Sequence, residues 1–424
     1  MTRRALALLL AAFPAALSAQ TAPPPFPLPA NVPPSPLDLF YAARNQAPVW
    51  LRDESTRSAA TALVALIRNA DLDGLADGPQ LAGTVETAIA ANNDKTISAA
   101  WVRFVQALKA PVKEVSFGDP ALQLETPREA AIVAGLAKAP SLADYVKQTA
   151  AVNPFYAALR DAAVKQGATA DPHVRATLDR LRLIPSKGRL ILVDAANAQL
   201  MLLEDGRVVD SMKVIVGQPK FQTPLLAGKI WYVTFNPYWH IPHDVAQRKV
   251  APIVLKRGVS YLKAARYETV AAFGKDDPID PASVDWKGVA NGSVQVNIRQ
   301  LNGPHNMMGK MKFGFANDYG VFLHDTPHKD LFAKAKRDLS LGCVRLERPE
   351  AVARWLLGRD PVPPSDDVEQ HVPVDGGVPI YITYMTARPD GDTIAYADDV
   401  YGLDAPGGAK TLIATAADGD SRTQ

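Results

Sequence analysis

The 424-residue sequence contains a single cysteine, Cys343. One thiol cannot form a disulfide within its own chain, and a cysteine's reactivity more often decides its role than its packing does. A redox enzyme that cycles a dithiol needs a second cysteine, so that class is excluded. Cys343 is therefore either a reactive group or an inert buried side chain.

The sequence also lacks an excess of charge of either sign. It has 46 Lys and Arg against 44 Asp and Glu, and Arg3 and Arg4 are the only charged residues among the first nineteen. Without that segment there are 44 residues of each sign. A neutral chain gives no reason to expect nucleic acid as a partner or an electrostatic membrane anchor. The hydrophobic content of 47% is that of an ordinary folded protein.

Residues 1–19 are typical of a secretory signal peptide. Arg3 and Arg4 precede an apolar run over residues 5–17, and Ala19 is a small residue at the expected cleavage point. The run is short for a membrane span, although an uncleaved membrane anchor stays open as an alternative. We therefore expect export to an oxidising compartment. The absence of a cysteine near the cleavage point excludes a lipoprotein anchor.

The next part of the sequence is proline-rich and then helical. Residues 20–36 hold eight prolines and predict an extended linker. Residues 37–151 have helical periodicity and predict a helical accessory domain, with Phe40, Trp50 and Trp101 in its core. Residues 152–187 predict a helical bridge, in which Asp171 caps a helix that begins with Pro172.

From residue 188 the apolar pattern becomes that of short strands separated by turns. This pattern predicts a β-sandwich or barrel-like domain over residues 188–386, and hence an α+β fold class. Residues 236–292 interrupt it and predict an inserted cap. We expect a helix over 349–357 and a loose tail over 387–424. The expected strands are 190–193, 199–203, 208–216, 230–235, 294–298, 311–315, 321–323 and 379–385.

Cys343 and His324 are the candidate catalytic pair. A thiolate is the nucleophilic form of cysteine, and a neighbouring histidine can accept its proton. The nineteen positions between them permit a contact without requiring one. Gly342 allows a tight turn whose N–H groups would form an oxyanion hole, and Arg345 suits a substrate carboxylate or a structural ion pair. The alternative is an inert cysteine beside a core histidine.

A metal site is a further alternative that the histidines raise. Zinc requires three or four converging ligands. The segment 324–328 has no His-Glu-x-x-His pattern, and Pro327 would break the helix that such a motif needs. We therefore predict no metal. The residues considered for it are His240, His243, Asp244, His324 and His328.

The segment from His324 to Arg345 resembles the signature of the L,D-transpeptidase catalytic domain called YkuD. That signature is a histidine at a strand end followed by Ser-x-Gly-Cys-x-Arg, here at 340–345. The surrounding sequence resembles the long YcbB-like subgroup of Gram-negative bacteria over residues 172–386, and more weakly over 39–75, which is similar to its helical scaffold domain. The matching stretches are 214–217, 223–224, 236–239, 303–309, 323–327 and 331–332.

The resemblance implies a periplasmic enzyme that acts on peptidoglycan stem peptides. Cys343 would attack the third residue of a donor tetrapeptide, release D-alanine and form a thioester. The amine of an acceptor stem would then resolve it into a 3–3 cross-link, with His324 moving the protons. No cofactor is implied, and carbapenems, which mimic the donor, are expected inhibitors.

The resemblance also implies a substrate-binding set beneath the cap, which comprises Arg345, Ser340, Trp239, Phe322 and Asn306. Phe322 stands where many members of the subgroup have tyrosine, so no hydroxyl role carries over. Residues 110–170 contain no clear copy of the usual peptidoglycan-binding module. An L,D-carboxypeptidase of the same fold and a non-catalytic wall-binding or scaffolding protein stay open as alternatives.

Overall fold

The computed structural model describes residues 33–112, 114–274, 277–365 and 368–405. The predicted signal peptide, most of the proline-rich linker and the last part of the predicted tail lie outside the described residues. Within the described ranges, no helix is both long enough and apolar enough to cross a membrane.

The N-terminal part of the chain folds into packed helices, and the α+β fold class is confirmed by the β domain that follows. Trp50 and Trp101 are fully buried and meet edge to face, with ring centroids 6.2 Å apart, whereas Phe40 is half-buried against the same core. The helices are α1 (Pro36–Ala43), α2 (Glu54–Arg68), α3 (Gly78–Ala90), α4 (Asp94–Leu108), α5 (Glu129–Lys138), α6 (Leu142–Ala151), α7 (Pro154–Gln166) and α8 (Pro172–Leu181).

Local capping explains where several of these helices begin. The Asp171 side chain accepts hydrogen bonds from the backbone N–H groups of His173 and Val174, and Pro172 occupies the first helical turn, as predicted. Ser35 and Asp38 form a reciprocal capping box at the start of α1. The short strand β1 (Ser116–Phe117) leaves the helices and pairs with the β domain.

The β domain is a sheet that closes on itself. Its strands in chain order are β2 (Arg189–Asp194), β3 (Gln199–Glu204), β4 (Arg207–Gly217) and β5 (Leu226–Phe235), and, after the insert, β10 (Met311–Phe313), β11 (Leu323–His324), β12 (Asp338–Ser340), β13 (Val344–Leu346) and β14 (Gln370–Thr383). The spatial order is β5-β10-β11-β13-β4-β3-β2-β14, and β14 pairs back with β5. The sheet is therefore barrel-like.

Alternation of side chains along the strands separates two cores. Ile191, Val193, Leu323 and Val344 point into the barrel, where helix α13 (Pro349–Leu357) also packs. Leu190 and Leu192, on the opposite face of β2, join the core of the helical part. The helices thus cover one outer face of the barrel.

The insert between β5 and β10 has its own small sheet and core. Its elements are β6 (Trp239–Ile241), α9 (His243–Val245), α10 (Ala251–Arg257), α11 (Ser260–Ala264), β7 (Tyr267–Val270), β8 (Pro278–Ile279), α12 (Trp286–Asn291) and β9 (Asn297–Gln300). A π-helical turn, Ala246–Val250, joins α9 to α10. The strand predicted at 294–298 is β9, and it pairs with β6 and β7 rather than with the barrel. The predicted boundary of the cap at residue 292 is therefore too early.

The prediction of a loose tail from residue 387 is wrong for the described residues. Strands β15 (Ala387–Asp390) and β16 (Thr393–Tyr396) form a hairpin. The chain then returns to the barrel, where Tyr401 and Asp404 are buried. Asp404 forms an ion pair with Arg180 of α8 at 2.7 Å, between side chains that are 3% and 1% exposed. We call residues 387–404 the C-terminal strap.

Candidate active site

Strand register aligns a row of polar residues across the barrel. His371 of β14 lies opposite Thr234 of β5, and Thr234 lies opposite Lys312 of β10. Lys312 in turn lies opposite His324 of β11, and His324 lies opposite Arg345 of β13. Residues that are directly opposite in a sheet project on the same face. Their neighbours Phe313, Leu323 and Val344 fill the barrel core, so the row projects outward.

Cys343 lies on the same outer face as His324. The N–H of Val344 donates to the carbonyl oxygen of Phe322 at 3.1 Å, which places Cys343 beside Phe322 on the adjacent strand. Because Val344 points into the barrel, Cys343 and Arg345 point outward. Cys343 and His324 are therefore diagonal neighbours, a relation that separates Cα atoms by about 7–8 Å and suits contact between side chains. The strand register thus places both residues on one face, where the Cys343 thiol donates a hydrogen bond to the carbonyl oxygen of Gly320 at 3.8 Å.

Backbone contacts fix the tautomer of His324. Its Nδ1 lies 2.5 Å from the carbonyl oxygen of Asp325. A carbonyl can only accept a hydrogen bond, so Nδ1 carries the hydrogen and Nε2 keeps its lone pair. Asp325 is itself held, since its carboxylate accepts the N–H of Lys310 at 2.8 Å. The imidazole is thus prepared to accept a proton at Nε2.

Burial keeps both members of the pair neutral. It is the largest cause that lowers the pKa of His324 to about 3, and the nearby charges of Arg345 and Lys312 act in the same direction. Burial also raises the pKa of the Cys343 thiol above its ordinary value, although the Phe322 backbone and the same two cations partly oppose it. At neutral pH the pair is a thiol and a neutral imidazole.

The turn before Cys343 is closed by Ser340. The Ser340 hydroxyl accepts the N–H of Gly342 at 3.1 Å and donates to the carbonyl oxygen of Cys343 at 2.6 Å. Gly342 has φ +120°, which side chains rarely permit. Ser340 is buried and its hydroxyl is used within the turn, which argues against the predicted substrate contact for Ser340.

The structure changes one detail of the predicted oxyanion hole at Gly342, namely which N–H group is available. The N–H of Gly342 already donates to Ser340, so it cannot serve an oxyanion. The Gly342 carbonyl accepts the hydroxyl of Thr223 at 2.8 Å. The described chain contains no cis peptide bond, so the N–H of Cys343 projects on the side opposite that carbonyl. This leaves the N–H of Cys343 as the candidate oxyanion donor at the turn.

Two cations flank the histidine without a carboxylate partner among the described residues. Arg345 is largely buried, burial lowers the pKa of its guanidinium, and its Nε has no hydrogen-bond partner. The Lys312 ammonium lies 4.5 Å from the ring centroid of Phe322, and that ring meets the imidazole of His324 edge to face at 5.8 Å. Of the predicted binding residues, Arg345 and Phe322 thus lie at the site. Lys312 was not predicted.

Two other predicted substrate residues lie in the insert, where they have structural roles. Trp239 is in β6 and packs against the insert's own core. Asn306 is buried, and its amide donates to the carbonyl oxygens of Pro237, Gln300 and Leu301 at 3.0–3.2 Å. It ties the two ends of the insert together. The contacts of Asn306 argue against substrate binding by that residue, whereas Trp239 is half-buried and its role stays a prediction.

Three of the residues considered for a metal have other partners in the fold. His240 stacks on Phe273, Asp244 pairs with Arg248 on the next helical turn, and His324 faces Asp325. Among the described residues, no three His, Cys, Asp or Glu side chains converge in an arrangement that could hold a metal ion.

Comparison with family models matches two parts of the chain. Residues 188–363 match the model described as the L,D-transpeptidase catalytic domain, YkuD, and residues 35–162 match the model described as Scaffold domain. Residues 188–363 therefore belong to the YkuD family of L,D-transpeptidase catalytic domains. The match of the helical part to the scaffold model confirms the resemblance inferred there from sequence.

Similar proteins were found by sequence and by structure. A Haemophilus influenzae protein with the provisional name L,D-transpeptidase is 24% identical over 386 residues, which cover 86% of this chain and 77% of that protein. An L,D-transpeptidase from Mycobacterium smegmatis is 14% identical, with a TM-score of 0.25, over 46% of this chain and 58% of that one. The E. faecium catalytic domain acylated by ertapenem is 14% identical, with a TM-score of 0.24, over 46% and 97%. This chain thus spans little more than half of the mycobacterial structure, and both superpositions are too loose to transfer geometry.

Three residues at the site were missed by sequence reasoning: Lys312, Thr223 and Tyr401. Lys312 lies in a predicted strand and Thr223 in a stretch that resembles the family, but neither was assigned a role. The strand register that brings them to the site is not visible in a local sequence pattern. Tyr401 lay in the supposed tail. The turn signal Asp390-Gly391, flanked by alternating residues in β15 and β16, would have indicated the hairpin that leads to it.

Proposed function

We propose that the protein is a peptidoglycan L,D-transpeptidase that forms 3–3 cross-links through a thioester on Cys343. The observation that supports this most is the position of Cys343 and His324 as diagonal neighbours on one outer face of the barrel. The tautomer of His324, with Nε2 free, is the one that a general base requires.

In the first half of the proposed reaction, Cys343 Sγ attacks the carbonyl carbon of the third residue of a donor tetrapeptide. The thiol proton passes to His324 Nε2, and the carbonyl oxygen becomes an oxyanion that the N–H of Cys343 stabilises. The C–N bond to the terminal D-alanine then breaks. His324 returns its proton to the departing amine, and a thioester remains.

In the second half, the side-chain amine of an acceptor stem attacks the thioester carbonyl. His324 accepts a proton from that amine, the C–S bond breaks, and the proton passes to the departing sulfur. The product is a 3–3 amide cross-link, and the enzyme returns to its neutral thiol and imidazole. Burial lowers the basicity of His324, which favours return of the proton to either leaving group but disfavours its acceptance from the thiol.

The charge of the site suits anionic peptides. Stem peptides carry carboxylates, and Arg345 offers a largely buried guanidinium whose Nε has no partner. A charged hydrogen bond in such a setting is worth about 1.5–3 kcal/mol. We propose that Arg345 holds a donor carboxylate and that Phe322 supplies an apolar wall beside it.

We propose that the enzyme works in the periplasm, where its proposed substrate lies. Residues 1–19 have the sequence pattern of an export signal, and residues 20–36 have that of a proline-rich spacer. Cell fractionation and N-terminal sequencing of the mature protein test this. A mature N-terminus at residue 20 in the periplasmic fraction is expected, and an intact N-terminus in the membrane fraction would instead indicate an uncleaved anchor.

The activity is tested with purified disaccharide tetrapeptides and mass spectrometry of the products. Wild-type protein should release D-alanine and produce a dimer linked between two diamino acids, and Cys343→Ala should produce neither. Activity that survives in Cys343→Ala contradicts the mechanism. Release of D-alanine without any dimer, even at high acceptor concentration, would instead identify an L,D-carboxypeptidase.

Carbapenem acylation tests the nucleophile independently of the natural substrate. Ertapenem should add once to the wild-type chain, and peptide mapping should place the adduct on Cys343. Because the sequence has no other cysteine, Cys343→Ala is a clean control. No adduct on the wild-type protein would contradict the proposed acyl-enzyme.

A further inference from the structure

The C-terminal strap reaches the active-site turn through Tyr401. Tyr401 is 3% exposed. Its ring stacks on Tyr384, with centroids 5.1 Å apart and planes within 10°. Its backbone N–H donates to the Tyr384 hydroxyl at 2.9 Å. The side chain is thus held in one orientation, with its hydroxyl directed at the loop between β4 and β5.

Two buried hydroxyls connect that loop to the turn before Cys343. The Tyr401 hydroxyl donates to the carbonyl oxygen of Gly217 at 2.5 Å and accepts the N–H of Thr223 at 3.4 Å. The Thr223 hydroxyl accepts the N–H of Gly217 at 2.8 Å and donates to the carbonyl oxygen of Gly342 at 2.8 Å. Both hydroxyl hydrogens face carbonyl oxygens, so the direction of every hydrogen bond is fixed.

The loop that carries Thr223 packs closely against Gly217. A Cβ atom added to Gly217 would lie 2.0 Å from the carbonyl oxygen of Phe221 and 2.7 Å from the nitrogen of Thr223. Gln222 adds a further tie, since its amide donates to the carbonyl oxygen of Tyr401 at 3.0 Å. The Thr223 hydroxyl therefore reaches Gly342 from a loop that is closely packed and hydrogen-bonded to the C-terminal strap.

The peptide between Gly342 and Cys343 needs this support. Glycine has the widest backbone freedom of any residue, and Gly342 sits at φ +120°. If its carbonyl were released, the peptide plane could rotate and carry the N–H of Cys343 away from the attacked carbonyl. The hydrogen bond from Thr223 holds that plane. Oxyanion stabilisation depends on donors that are oriented before the reaction.

We propose that Thr223 and Tyr401 are positioning residues that orient the N–H of Cys343 toward the oxyanion. This inference rests on the proposed acyl transfer at Cys343. It makes the C-terminal strap part of the catalytic apparatus, anchored to the helical part by the buried pair Arg180–Asp404. Neither residue touches the substrate, and both act through the carbonyl of Gly342.

The test compares two reactions of the same thiol in the full-length protein. Ertapenem acylation passes through an oxyanion, whereas alkylation by iodoacetamide is a displacement at carbon that forms none. Thr223→Val keeps the side-chain shape and removes the hydroxyl. The variant should acylate roughly 10- to 100-fold more slowly than wild type. This fall in rate is no larger than the fall expected when an oxyanion donor itself is removed. Its alkylation rate should stay within about twofold, since a group that orients only the N–H leaves the thiol unchanged.

Two further variants separate positioning from general damage. Thr223→Ser keeps the hydroxyl and should recover most of the acylation rate. Tyr401→Phe removes the more distant hydroxyl, should slow acylation by a smaller factor, and carries the test if Thr223→Val does not fold. Asp392→Asn, on an exposed turn of the same strap, serves as the control and should acylate like wild type.

The outcomes distinguish this inference from the proposed function. A wild-type protein that gains no ertapenem adduct at Cys343 overturns the acyl-transfer function and this inference with it. Wild-type acylation that Thr223→Val and Tyr401→Phe match in rate overturns the positioning role alone. So does an equal loss of acylation and alkylation in both variants, because that pattern indicates a disordered site rather than a misdirected N–H.

Discussion

His324 and Arg345 lie directly opposite each other in the parallel pair formed by β11 and β13. The candidate base thus sits beside a cation that has no carboxylate partner among the described residues. The charge of Arg345 and the burial of the ring both disfavour the imidazolium form. The site therefore differs from cysteine enzymes that rest as a thiolate–imidazolium pair.

The pH dependence of Cys343 alkylation follows from this neutral resting state. Burial raises the pKa of the thiol above its usual value, so the iodoacetamide rate should climb through pH 9 and show no plateau at neutral pH. The rate is measured by intact-protein mass between pH 5 and 10. A plateau below pH 7 would indicate a thiolate–imidazolium pair and contradict the neutral assignment.

The His324→Gln variant should lose acyl transfer and gain relative stability in acid. Burial lowers the folded-state pKa of His324 to about 3. The neutral form therefore contributes stability that is fully present above about pH 6.5 and is lost progressively as the pH falls from there toward the folded value. The wild type should lose about 3 kcal/mol more than the variant between pH 7 and pH 4.5. Urea unfolding at the two pH values measures this.

The matched control for acid stability is His305→Gln, at an exposed position. This variant should follow the wild-type pH dependence, since it leaves the buried His324 in place. Identical pH slopes for wild type and His324→Gln would contradict a buried neutral histidine.

The Arg345→Gln variant should weaken recognition of an anionic donor. Loss of one charged hydrogen bond of about 1.5–3 kcal/mol predicts a fall of roughly 10- to 100-fold in kcat/KM. A donor with amidated carboxylates should react equally slowly with both proteins, because the partner charge is already absent. The comparison uses D-alanine release with the two donors. An equal loss on both donors would show that Arg345 does not bind the carboxylate.

The Asp404→Asn variant should destabilise the protein because it leaves Arg180 buried without its counter-charge. Both side chains are nearly inaccessible, and removal of one partner from such a pair costs roughly 3–5 kcal/mol. Denaturant unfolding at pH 7 measures the loss. Asp392→Asn breaks the ion pair with Lys165, whose side chains are 85% and 61% exposed, and should leave the transition midpoint unchanged. Equal midpoints for wild type and Asp404→Asn would contradict a stabilising role for the pair.

Features encoded locally were predicted well. Helix α13 begins at Pro349 and ends before Gly358, which has a left-handed conformation, because proline and glycine act on their own dihedral angles. The hairpin around Asp205-Gly206 is the β3–β4 turn, where both residues have positive φ. The chemistry of Cys343 and His324 was likewise visible in residue type.

Features that depend on long-range pairing were predicted poorly. Strand β14 begins at Gln370 rather than at 379, because a register shift between Pro373 and Val378 hides its period while its pairing with β5 continues. Ser340 and Asn306 were assigned to substrate binding by polarity and position. Their hydroxyl and amide are instead used by neighbouring backbone groups, which residue type alone does not reveal.

The insert leaves and re-enters the barrel at adjacent points. Phe235 at the end of β5 lies opposite Met311 at the start of β10, and the N–H of Asn236 donates to the carbonyl oxygen of Lys310 at 3.0 Å. In topological terms the whole insert is the turn of a β-hairpin. The hydrogen bonds of the barrel therefore close without any strand of the insert. We expect a short turn between residues 235 and 311 to keep every strand of the closed sheet, with its cysteine and histidine in place.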